Sequence, residues 1–173
     1  MRSPLFLAAT LALGTLAGGR SLHAQASANA STTVRADVVH ALTILKVADV
    51  EFGVVPAGSG PNVLLATDAG AGRFSLLGQP GRQVTVTIAA PAALISGASS
   101  IAYAGAASVN ENADDPAGAT PVPVGPSFTM RLRDPSPGQN RRLGYLYLHG
   151  AVTVAPTAPP GVYTGTVTIT AEQ

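Results

Sequence analysis

Tyr163-Thr164-Gly165-Thr166-Val167-Thr168-Ile169-Thr170-Ala171 is the stretch that decides the fold. Tyr163, Gly165, Val167, Ile169 and Ala171 share one parity, and Thr164, Thr166, Thr168 and Thr170 share the other. Side chains on a β-strand alternate between faces, so the pattern predicts a strand with one apolar face toward a core and one threonine face toward water. Threonine suits the wet side because its β-branched methyl packs on neighbours while the hydroxyl stays hydrated. Pro159-Pro160-Gly161 turns the chain into it.

The same period recurs toward the N-terminus. Leu146, Leu148, Val152 and Val154 share a parity, and Phe128, Met130 and Leu132 alternate with Thr129, Arg131 and Arg133, which places those arginines on the solvent face. Val84, Val86 and Ile88 alternate with Thr85 and Thr87, and Gly78-Gln79-Pro80-Gly81 before them reads as a hairpin connection from Phe74 and Leu76. Ile101 and Tyr103 mark a short strand that precedes a polar segment from Gly105 to Pro126. Val50, Phe52 and Val54 predict another short strand, ended by the turn-rich Pro56 to Pro61, and Asn62 to Ala66 a weaker one. Val34, Ala36, Val38, Leu42 and Ile44 also alternate, but Thr32 to Leu45 would extend ~46 Å, longer than most strands. A break is expected near His40, where the chain crosses between sheets. About eight to ten strands without a convincing helix after residue 26 indicate an all-β, antiparallel β-sandwich, with a barrel as the alternative.

Composition narrows the functional classes. Ten basic residues stand against nine acidic ones in 173, so there is no basic footprint for nucleic acid. The N-terminus carries Arg2, an uncharged apolar run from Leu5 to Ala17, and small residues at Ala24 and Ala26. The run is too short to span a bilayer, and the order of charge, apolar run and small residues is that of a signal peptide cleaved after Ala24 or Ala26. Residues 1–24 are therefore expected to be a signal peptide and 25–173 a single sandwich domain, exported to the periplasm, cell surface or extracellular space. Cleavage after Ala24 removes two basic residues, so the apparent basic excess belongs to targeting. An exported chain with no cysteine cannot be held by disulfides and must be stabilised by core packing.

Three segments taken in order carry a family likeness: Asp49-Val50-Glu51-Phe52-Gly53-Val54; Leu77-Gly78-Gln79-Pro80-Gly81 leading into Val84-Thr85-Val86-Thr87-Ile88; and His149-Gly150-Ala151-Val152-Thr153-Val154 followed by Gly161-Val162-Tyr163-Thr164-Gly165-Thr166-Val167. The ordered set resembles the bacterial exported family called domain of unknown function 4402. The resemblance implies an extracytoplasmic immunoglobulin-like sandwich and carries no catalytic residue or cofactor. That family is similar in outline to fimbrial subunits, in which an incomplete sandwich accepts a strand from a neighbour. Residues Gln25 to Val38, through Val34, Ala36 and Val38, are the candidate strand-pairing segment, with a second copy or another envelope subunit as partner. The chain departs from chaperone-assembled pilins in having no cysteine pair and in placing Glu172 where their penultimate aromatic is expected.

Little in the sequence points to catalysis, and no enzyme activity, cofactor or metal is expected. His40 and His149 are the histidines left after cleavage, and no nucleophile elbow or phosphate loop follows a strand. Asn110-Glu111-Asn112-Ala113-Asp114-Asp115 resembles the start of a calcium loop, but Asp115 replaces the glycine the turn needs and Pro121 stands where the bidentate glutamate belongs. Lys46, the sole lysine, lies near Asp49 and Glu51 as a candidate for a side-chain crosslink. Tyr145, Tyr147 and His149 lie on the parity opposite Leu146 and Leu148, and so form an outward aromatic row suited to stacking a ligand or a carbohydrate. Two functions follow: a structural or assembly protein of the bacterial envelope acting through strand pairing, or a ligand-binding module using the tyrosine face.

Overall fold

A computed structural model describes residues 33, 35, 36, 41–79, 81–132 and 142–173. Residues 1–24, expected to be a signal peptide, and Val34 and Val38 lie outside these, and Ala36 is exposed and in no strand. The chain divides into two units, Met1–Ala36 and Asp37–Gln173, and the fold below is that of the second.

Ten strands and no helix make up the described residues: β1 (Thr43–Ala48), β2 (Asn62–Leu64), β3 (Gly72–Gly78), β4 (Gln83–Ala89), β5 (Ala93–Ser96), β6 (Ser99–Asn110), β7 (Thr120–Val122), β8 (Phe128–Arg131), β9 (Arg142–Thr153) and β10 (Thr168–Glu172). They form two antiparallel sheets in a sandwich, one of seven strands and one of three ordered β10-β4-β8. The large sheet is built on β6 and β9, twelve residues each, paired from Ala102 against Thr153 to Asn110 against Tyr145. Short strands line them end to end: β2 and β3 both pair with β9, β5 and β7 both pair with β6, and β1 lies outside β3.

The alternation fills the core as the sequence requires. Leu76 from β3, Val84, Val86 and Ile88 from β4, Met130 from β8 and Leu146 from β9 are at most 1% exposed and meet between the sheets. Farther along β6 and β9 a second cluster gathers Ile101, Tyr103, Val152 and Val154 under Phe52, Val55 and Tyr163, with the Phe52 and Tyr103 rings edge to face. Gly105 and Gly150 face each other between the two clusters. Gly150 has φ +140°, and a Cβ there would collide with the Ala104 carbonyl, so the crossing of the long strands tolerates only glycine.

Several sequence expectations are corrected. Gly78-Gln79-Pro80-Gly81 does not join a hairpin: β3 belongs to the large sheet and β4 to the small one, so the chain passes between the sheets here, and Leu76 and Val84 meet in one core. The expected polar segment begins six residues late, because Gly105-Ala106-Ala107-Ser108-Val109-Asn110 extend β6 by pairing with β9. Val50 to Val54 form no strand; the Glu51 amide bonds the Gly70 carbonyl, Gly53 takes φ +65°, and Val54 is left exposed. The last strand is regular only from Thr168, Thr164 instead bridging Ile95 of β5. No helix among the described residues is long and apolar enough to cross a membrane.

Candidate functional site

The outer face of the large sheet carries the residues singled out for ligand binding. Register puts Arg73 beside Tyr147 and Tyr147 beside Ser108, Ser75 beside Tyr145 and Tyr145 beside Asn110, and His149 beside Ala106. The three candidates therefore share one face, opposite Leu146 and Leu148. They do not form an exposed row. Tyr147 is 1% exposed, the bulkiest side chain among the fully buried ones, while Tyr145 and His149 are half-buried.

The cover over Tyr147 is the loop between β6 and β7. Asn110 starts it: its side-chain oxygen accepts from the Asn112 and Ala113 amides, and its Nδ2 donates to the Asp115 carbonyl. This local turn projects Asp114 back over the sheet, where its Oδ1 accepts from the Tyr147 hydroxyl at 2.9 Å and from Arg73 at 3.1 Å. The Arg73 guanidinium also lies 5.7 Å from the centre of the Tyr147 ring, within cation–π range. Burial, and then the hydrogen bond to the Asp114 carboxylate, push the Tyr147 hydroxyl far above the usual phenol range.

His149 meets Ser108 at 3.0 Å through Nε2, and its carbonyl accepts from the Tyr103 hydroxyl. Burial pulls the imidazole below its ordinary value, which keeps it neutral at pH 7. Serine bonded to histidine is the minimum of a nucleophile and base, but Ser108 is only 5% exposed, so a substrate carbonyl has no approach to it.

The other candidate chemistries are accounted for locally. In the acidic loop Asp114 faces Tyr147, Asp115 accepts from the Ala117 amide, and Glu111 accepts from the Arg131 amide of β8 at 2.7 Å, so the carboxylates diverge. Among the described residues no cluster of three metal-ligating side chains occurs. Lys46 makes an ion pair with Asp49 at 2.8 Å in which both side chains are more than half exposed, a surface pair rather than the buried site a crosslink needs.

The strand edges differ sharply in how they are protected. An edge presents unpaired backbone groups to any passing chain, and proteins blunt it with bulges, charge, proline or cover. β1 has a bulge between Lys46 and Ala48 and the Lys46–Asp49 pair beside it. β2 is three residues long and follows Pro61. β5 is covered by Thr164 through two backbone bonds, at 2.8 and 3.0 Å. β7 contains Pro121 and ends against Pro123, and the Arg131 amide of β8 is capped by Glu111.

Among the described residues β10 has no bulge, proline or covering segment, and its one charge is Glu172 at its end. Among the described residues it pairs with β4 alone, in unbroken register from Thr168 against Ala89 to Glu172 against Thr85. It contains no proline, glycine or basic residue. Its inward Ile169 and Ala171, with Val167 before them, are only half-buried, as are Leu42 and Ile44 across the sandwich. Between them lies an open cleft of about 430 Å³ lined by Ala41, Leu42, Gln79, Arg82, Ala171, Glu172 and Gln173. Gln173 exchanges two 3.2 Å hydrogen bonds with the Gln79 backbone and so anchors the end of β10 to the end of β3. The sequence pattern showed the two faces of this strand but not its edge position; the lack of proline and lysine in 167–171 was the available signal.

A family model described as Domain of unknown function (DUF4402) matches residues 7–172. No curated protein and no solved structure matches.

Proposed function

The chain belongs to the DUF4402 family, and from that premise we propose that it is an exported, non-enzymatic, immunoglobulin-like structural subunit of the bacterial envelope that assembles by β-strand pairing. The observation that carries the proposal is β10, among the described residues a regular edge without bulge, proline or cover, beside a half-open apolar seam. A strand added there would pair with the edge backbone groups of β10 that no described strand takes up, while its alternate side chains cover Ile169, Ala171, Leu42 and Ile44. Export is supported by the apolar run from Leu5 to Ala17 and the small residues at Ala24 and Ala26. The burial of Tyr147 under Asp114 leaves the tyrosine face without the flat stacking platform that a carbohydrate module needs.

Sedimentation of residues 25–173 across a concentration series tests the assembly. The expected result is a concentration-dependent oligomer that Thr168→Lys with Thr170→Lys returns to monomer, with the far-ultraviolet dichroism unchanged. A wild-type chain that stays monomeric at high concentration overturns the reading.

A further inference from the structure

We infer that the strand received by β10 is the alternating segment 33–38 of a second copy, bound antiparallel. The inference rests on the assembly reading above and adds the identity and direction of the incoming strand.

Direction follows from where the segment joins the domain. Ala41 and Leu42 line the same cleft as Ala171, Glu172 and Gln173, so the chain enters β1 level with the end of β10. A segment of the same molecule lying along β10 would run toward that cleft, as β10 does, and would pair in parallel. Asp37, its outward residue nearest that end, then falls opposite or diagonal to Glu172, and like charges so placed are destabilising. Parallel pairing is also slightly weaker per residue.

A second copy is free of this constraint. Antiparallel, it sets Val34, Ala36 and Val38 against Ala171, Ile169 and Val167, which matches the apolar parity of both strands. The outward residues then alternate favourably: Thr33 opposite Glu172, Arg35 opposite Thr170 and diagonal to Glu172, and Asp37 opposite Thr168 at the far end. Ala36, central to the pairing, is exposed and in no strand. Residues 25–40 can extend roughly 50 Å at ~3.3 Å per residue, enough to reach an adjoining molecule.

The absence of cysteine makes thiol crosslinking a clean test, since introduced thiols are the only ones present. Chains 25–173 carrying Asp37→Cys are mixed under mild oxidation with chains carrying Thr168→Cys or, separately, Glu172→Cys, and sedimentation is run on the same samples. The expected result is a disulfide heterodimer several-fold more abundant with Thr168→Cys than with Glu172→Cys. A monomeric internal disulfide in the double variant Asp37→Cys with Glu172→Cys, in place of an intermolecular one, overturns the inference in favour of self-pairing. Oligomers that form without either crosslink overturn it while leaving the assembly reading intact, and a monomer without crosslinks overturns both.

Discussion

Tyr147 illustrates how a surface parity becomes a buried residue. Its hydroxyl and Arg73 converge on one oxygen of Asp114, so removing either donor or acceptor strands a polar group under the loop. Tyr147→Phe is expected to cost about 1 kcal/mol and Asp114→Ala about 1–2 kcal/mol, with the double variant losing less than the sum, measured by denaturant unfolding as a double-mutant cycle. His149 supplies a pH signature. Burial holds its folded-state value below the ordinary 6.5, so the unfolded chain binds the proton more readily. Stability is therefore fully present above about pH 6.5 and is lost as pH falls through the unfolded value and toward the folded one. His149→Gln should flatten that loss between pH 7 and 5 in urea midpoints. A single alternating sequence could place Tyr145, Tyr147 and His149 on one face, but not reveal that Asp114, 33 residues before Tyr147, would fold over it. The cover depends on the turn built by Asn110, whose local bonds carry no periodic signal.

Among the elements, legibility followed the kind of information each strand needed. The inward residues of β4, β8 and β9 stand where alternation put them, because a half-buried strand writes its face into its own sequence. Partnership is written elsewhere. The Gly78-to-Gly81 turn has hairpin composition but joins opposite sheets, since glycine and proline specify a bend and not which strand receives the chain afterward. β6 continued through small residues that only the β9 register explains. The same pairing makes Gly150 a sharp test: Gly150→Ala forces a Cβ into the Ala104 carbonyl in a left-handed conformation, and a loss of at least about 3 kcal/mol is expected in equilibrium unfolding. Gly81, whose Cβ would meet open space but whose φ is +73°, should lose only about 1 kcal/mol on the same change.

For the molecule as a whole, two apolar clusters share two strands. β9 carries Leu146 in one cluster and Val152 in the other, as β6 carries Val109 and Ile101, so the clusters should unfold together. Leu146→Ala and Val152→Ala are each expected to cost about 2–4 kcal/mol and to shift one coincident calorimetric and dichroic transition. Held by this core without disulfides, the domain leaves β10, among the described residues, the edge with neither bulge, proline nor cover, and that asymmetry is the basis for reading it as an assembling subunit. The most direct test is amide hydrogen exchange of Thr168–Glu172 followed against protein concentration. Protection of those amides that rises with concentration, while β6 and β9 stay unchanged, is the predicted result; exchange at β10 that is independent of concentration would contradict strand pairing at this edge.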